Sequence, residues 1–267
     1  MINQLIIVMC LTFIIHLIST LSYAVRIVSI RTKKVALTIS LFNILVLVSR
    51  TANTFQAPLL SKIVETDLNN GLLNPRSNWF SLIIASSTFA SIIGIILIPT
   101  FQRILTHAVE DFGIFKSIPR LIRKAFSLRT QKIIHSDLAL PKKGNIKFNS
   151  IMSFISWKYV IMNMIASAVI TIGVIASLYA GYLNPNFRTT SSSLSSIING
   201  FATIFMIIFI DPYLSVMVDD TINGRMPEIV YRRYMVLLLI SRVIGTILAQ
   251  FLLFPAAWVI SKAAQFI

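Results

Sequence analysis

The apolar residues of this chain gather into six long runs, and the polar residues gather between them. The runs cover Ile2 to about Val25, Val35 to Leu60, Trp79 to Phe101, Trp157 to Tyr182, Leu194 to Val218 and Met235 to Ile260. A helix of about 20 apolar residues crosses the hydrocarbon core of a bilayer. Turn signals separate the runs: Asn69-Asn70-Gly71 and Asn74-Pro75 after the second, Asn184-Pro185-Asn186 after the fourth. The pattern predicts an all-α polytopic membrane protein with six transmembrane helices. Within it, Asp211-Pro212 predicts a kink in the fifth helix, where freed backbone groups need other partners. The low-complexity run Thr189 to Ser196 leads into that helix. The first run lacks a basic stretch before it and exceeds the apolar length of a signal peptide, so it is expected to persist as a helix.

Composition agrees with the runs. Of 267 residues, 56% are hydrophobic and 12% charged, which excludes an ordinary soluble globular domain. The excess of 24 Lys and Arg over 9 Asp and Glu is what nucleic-acid binding, anionic lipid or cytoplasmic loops would each produce. In a membrane protein the positive-inside rule is the default reading, and no nucleic-acid partner is expected. Alternating the six spans places 18 basic residues in cytoplasmic segments and four outside, with Arg50 and Arg242 inside spans. This orientation puts both termini outside. The single Cys10 excludes an intrachain disulfide.

The order of spans divides the chain into a first three-helix half (1–105), a basic cytoplasmic loop (106–156) and a second three-helix half (157–267). Ten Lys and Arg residues lie between Arg103 and Lys147, and Phe115 to Ile134 has the pattern of an interfacial helix on anionic lipid. A plain topogenic loop is the alternative there. Three spans per half would invert the halves relative to each other. Sliding the chain on itself by 156 residues pairs Asn43 with Asn199 and Pro99 with Pro255. Small residues on the third and fifth helices permit a homodimer without requiring one.

Phosphate-binding glycine loops, metal-ligand clusters and nucleophile elbows are missing from the sequence, and His16, His107 and His135 are not spaced as ligands. A transporter is therefore expected rather than an enzyme, with no cofactor and no metal. His16 reads as a packed core histidine. Arg50 demands a reason: a helix starting at Val35 carries it roughly 22 Å into the membrane, at an insertion cost of about 2.5–3.5 kcal/mol. Helical spacing puts Asn43, Arg50 and Asn53 on one face, which reads as the wall of a polar cavity. The alternative is that Arg50 snorkels outward beside Gln56. Asp211 and Arg242 fall at similar depth, so a structural ion pair between them is expected, with substrate contact by Arg242 as the other possibility.

The run SYAVRIVSIRTKKVALTISLFNILVLVSRTANTFQAPLLSKIV, with its Arg-x4-Arg-Thr-Lys turn, its Ser-Leu-Phe-Asn and Ser-Arg-Thr-Ala-Asn elements and its Gln-Ala-Pro exit, resembles the Amj family of bacterial lipid II flippases, the alternates to MurJ. The resemblance implies translocation of the undecaprenyl-pyrophosphate-linked peptidoglycan precursor from the inner to the outer leaflet of the cytoplasmic membrane. It brings no set of functional residues with it. On the residues themselves, Arg26, Arg31, Lys33 and Lys34 would gather the anionic head, and Arg50 would pair with the pyrophosphate. Asn43, Asn53, Gln56, Asn199 and Arg242 would line its path. A membrane protein insertase and a small-anion transporter stay open as alternatives. The insertase would need Arg50 nearer the inner leaflet, and the small-anion transporter an occluded pocket with no lateral opening.

Overall fold

The computed structural model describes residues 2–72, 76–115, 137–141, 144, 148 and 155–267. Among them the chain is all-helical, and six helical segments are long and apolar enough to cross a membrane. We label the helices α1 (Ile2–Thr32), α2 (Val35–Asn69), α3 (Ser77–Phe115), α4 (Trp157–Leu183), α5 (Arg188–Phe205), α6 (Asp211–Ile222) and α7 (Glu228–Phe266). The expected interfacial helix from Phe115 to Ile134 lies outside the described residues, apart from its first residue.

The helices outlast the apolar runs that announce them. In a membrane every backbone group must be paired within its own helix, so the helix continues through the interface until a turn residue stops it. For α2 the stop is Asn70-Gly71, with Gly71 at φ 76°. At the other end, Lys33 at φ 54° reverses the chain directly from α1 into α2. The Thr189 to Ser196 run, expected only to lead into a span, is itself helical and belongs to α5.

The kink expected near Asp211-Pro212 is a five-residue π-turn, Met206–Ile210, joining α5 to α6. Pro212 lacks an N–H, and its ring crowds the carbonyl four residues back. Widening the preceding turn relieves that crowding without ending the span.

One packing pattern occurs twice: α1 packs against both α2 and α3, α4 packs against both α5 and α7, and α3 meets α7. Small residues permit these close approaches. A Cβ on Gly245 of α7 would sit 2.4 Å from the Met164 carbonyl oxygen of α4. On α4 every residue from Thr171 to Tyr182 is buried, which makes it the central post between α5 and α7.

Two apolar clusters fix the ends of the bundle. One gathers Leu60, Ile63, Phe80, Ile83, Ile175 and Tyr179; the other gathers Tyr23, Ile27, Leu214, Tyr231, Tyr234 and Leu238. The first is tied off by Asp67, which is fully buried. Its carboxylate accepts from Arg76 Nε (2.7 Å) and Nη2 (2.9 Å) and from the Tyr182 hydroxyl (2.8 Å). The hydrogen bonding to Asp67 pushes the Arg76 pKa further above its ordinary value, so the arginine of this latch across the α2–α3 connection stays charged at any physiological pH.

Candidate functional site

A cavity of about 730 Å³ is walled by α1, α2, α4, α5, the π-turn and α6, with Arg242 reaching in from α7. Its shape follows from α2. The far part of that helix is anchored, with Gln56, Leu60, Ile63, Val64 and Asp67 buried, whereas Ile39, Leu47, Val48 and Phe55 are exposed. Across the cavity, α5 and the π-turn expose Ile197, Phe201, Ile204, Ile207 and Ile208. At one end α2 and α5 share the first apolar cluster, Leu60, Ile63 and Val64 with Leu194 and Ile198 packed against it; beyond it, neither α5 nor α6 is a close packing partner of α2. Among the described residues the cavity is therefore left open laterally, between two helices whose outer faces are apolar.

Most of the residues singled out from sequence meet here. Arg26, Asn43, Arg50, Asn53, Gln56, Asn199, Asp211 and Arg242 all line the cavity. Arg31 does not; it sits at the end of α1 with its Nε 3.9 Å from a Glu228 carboxylate oxygen. Gln56 does not accompany Arg50 outward, because it is buried and donates from Nε2 to Thr12 Oγ1 at 2.8 Å.

The expected pairing of Asp211 with Arg242 is replaced by a different one. Asp211 pairs with Arg26 of α1 at 2.5 Å. Arg242 instead donates from Nε to Thr20 Oγ1 at 3.2 Å, and the Tyr23 hydroxyl lies against its guanidinium. Similar depth along two helices brought the residues to one level, but α7 turns Arg242 toward α1. Proximity in depth does not set the direction in which a side chain leaves its helix.

The electrostatic consequence is an imbalance. Arg50 and Arg242 line the cavity with no carboxylate partner among the described residues, Arg50 exposed to it and Arg242 only 3% exposed. Unmatched cations at membrane depth are costly unless water or an anion compensates them. The wall is otherwise mixed, with Ile15, Ile18, Phe42, Val46 and Val174 between the polar groups. Such a surface suits a ligand with an anionic head and an apolar body.

Sequence reasoning passed over Thr12, Thr20, Tyr23 and the cavity-facing role of His16. The signal was present in their spacing: Thr12, His16 and Thr20 recur every four residues, a polar stripe along α1. His16 is buried, as a core histidine would be, but it also lines the cavity.

Comparison with known proteins is consistent with a single assignment over the whole chain. A family model described as Amj, alternate to MurJ, matches residues 11–264. A curated relative from Bacillus subtilis (strain 168), named lipid II flippase Amj, is 36% identical over 261 residues, covering 97% of this chain and 96% of the relative. No solved structure matches the chain.

Proposed function

The chain belongs to the Amj family, alternate to MurJ, and from that premise we propose that it is a lipid II flippase whose substrate crosses the membrane along the cavity between α2 and α5. The observation that carries this reading is the laterally open cavity holding two cations without an ion-pair partner, Arg50 and Arg242, in a lining where Arg26, Arg50 and Arg242 outnumber the carboxylates of Asp211 and Asp219. The diphosphate of lipid II supplies the missing charge, and a guanidinium fork matches phosphate oxygens. The polyprenyl tail stays in lipid, against the apolar outer faces of α2 and α5, while the head moves inside. A small-anion carrier would have no need of a lateral opening.

The orientation follows from the basic residues. With both termini outside, the α1–α2 turn is cytoplasmic, and Arg26, Arg31, Lys33 and Lys34 gather the head at the inner surface. A membrane potential negative inside favours outward movement of an uncompensated anion by about 2.3 kcal/mol per charge per 100 mV. The repeated packing of the two halves supports an inverted relationship between them, with Asn43 and Asn199 as equivalent positions on opposite walls.

Complementation tests the assignment in cells. In a bacterium whose own lipid II flippases are depleted, expression of this chain is expected to restore growth and rod or coccal shape. Lysis on depletion despite normal membrane levels of the protein would overturn it.

A further inference from the structure

Around Arg242, the back wall of the cavity carries side chains to which the reading above gives no role. Along α1, Thr12, His16 and Thr20 stand one turn apart. The two threonines are satisfied: their hydroxyls donate to the carbonyls of Val8 and His16, and they accept from Gln56 and Arg242. His16 between them is 4% exposed, and its Nδ1 has no partner. Arg242, beside Thr20, is equally buried and has no carboxylate partner among the described residues.

The orientation of Arg242 is nevertheless built with care. Tyr23, which lies against the guanidinium, donates to Asn163 Oδ1 at 2.7 Å. Asn163 in turn donates from Nδ2 to Ser241 Oγ (2.9 Å) and to the Leu238 carbonyl (3.0 Å). This network fixes a cation while leaving its charge unmatched. Buried polar groups are ordinarily paired, and a buried charge lacking a partner is more costly still. An unmatched guanidinium and a histidine with an unpartnered, buried ring nitrogen, on two residues that line one cavity, have a common complement in an oxyanion that accepts from both once it enters between them.

We propose that Arg242 and His16, set by Thr20, form a diphosphate-binding subsite on the back wall of the cavity, separate from Arg50 on α2. The inference rests on the flippase reading for its biological ligand, although the chemistry is that of any diphosphate. The guanidinium engages one phosphoryl group through its fork, and His16 in the tautomer that protonates Nδ1 donates to an oxygen of the other.

The test uses the purified full chain in nanodiscs, titrated calorimetrically with inorganic pyrophosphate and with farnesyl diphosphate as a short-chain probe. The native chain is expected to bind both, and Arg242→Gln to weaken binding about tenfold or more. His16→Leu should weaken it several-fold and His16→Gln, which keeps a donor, much less, whereas an apolar packing role would favour leucine. In parallel, ¹⁵N NMR of the native protein, with the His16 signal assigned through His16→Gln, should show its ring nitrogens shifting on addition of pyrophosphate. Unweakened binding by Arg242→Gln, or no shift at His16, would overturn the subsite; if Arg242→Gln does not fold, the NMR result decides. Diphosphate binding without lipid II transport would sink the flippase reading and leave the subsite standing.

Discussion

Replacement of Arg50 by alanine is expected to reduce lipid II translocation by about tenfold or more, since a charge-assisted hydrogen bond contributes about 1.5–3 kcal/mol, while leaving the protein at least as stable as before. The two halves of this expectation come from the same observation. Arg50 has no ion-pair partner among the described residues, and its side chain is exposed to the cavity. Nothing in the packing of α2 is lost with it. Insertion of the helix loses an opposing contribution of about 2.5–3.5 kcal/mol, so expression and melting temperature in detergent should hold or rise. Arg50→Lys keeps the charge without the planar fork and should fall between the two. A merely snorkelling arginine would behave differently: the alanine variant would then transport as well as the native protein.

The second large effect concerns the lateral opening. Val46 of α2 and Ile207 of the π-turn both line the cavity, and the two elements that carry them are not close packing partners. In a Cys10→Ser background, Val46→Cys with Ile207→Cys gives a pair of thiols across the slit. Bridging them with bifunctional thiosulfonates of increasing spacer length is expected to stop translocation by more than about tenfold once a spacer fits, with recovery on reduction. A head as bulky as a sugar-peptide must part these walls, whereas a monofunctional reagent at either position leaves them free to move. Full transport by the bridged protein would show that the head travels by another route.

How much of this was legible beforehand differs between fold and site. The six spans follow from apolar runs and turn residues, because burial in lipid leaves the backbone few alternatives to a helix. Lengths were less accessible: hydropathy marks where a span enters lipid, while the helix ends where Asn70-Gly71 or Lys33 turns the chain. The face carrying Asn43, Arg50 and Asn53 was readable from α2 alone, since neighbours on one helix share a direction. Arg242 and Asp211 were not, because their partners sit on another helix, and sequence carries depth but not the packing of α1 against α6 and α7. Taken alone, His16 looks like a core residue. Its meaning comes only with Thr12 and Thr20 on the same stripe and Arg242 bonded to Thr20 beside it.

The π-turn belongs to the same lesson. Pro212 announced a disturbance, and the structure places it where α5 ends and α6 begins, directly before the Arg26–Asp211 pair. Turns of this kind concentrate at functional sites. Here one joins the two helical segments of a cavity wall.

The most direct measurement reconstitutes the purified chain into vesicles with fluorescent lipid II and follows the label that becomes accessible to a membrane-impermeant quencher. A flippase of the kind described moves lipid II across the bilayer in a protein-dependent manner, while a labelled phospholipid in parallel vesicles stays where it was placed. Equal movement with empty vesicles, or equal scrambling of the phospholipid by the folded protein, would contradict the account.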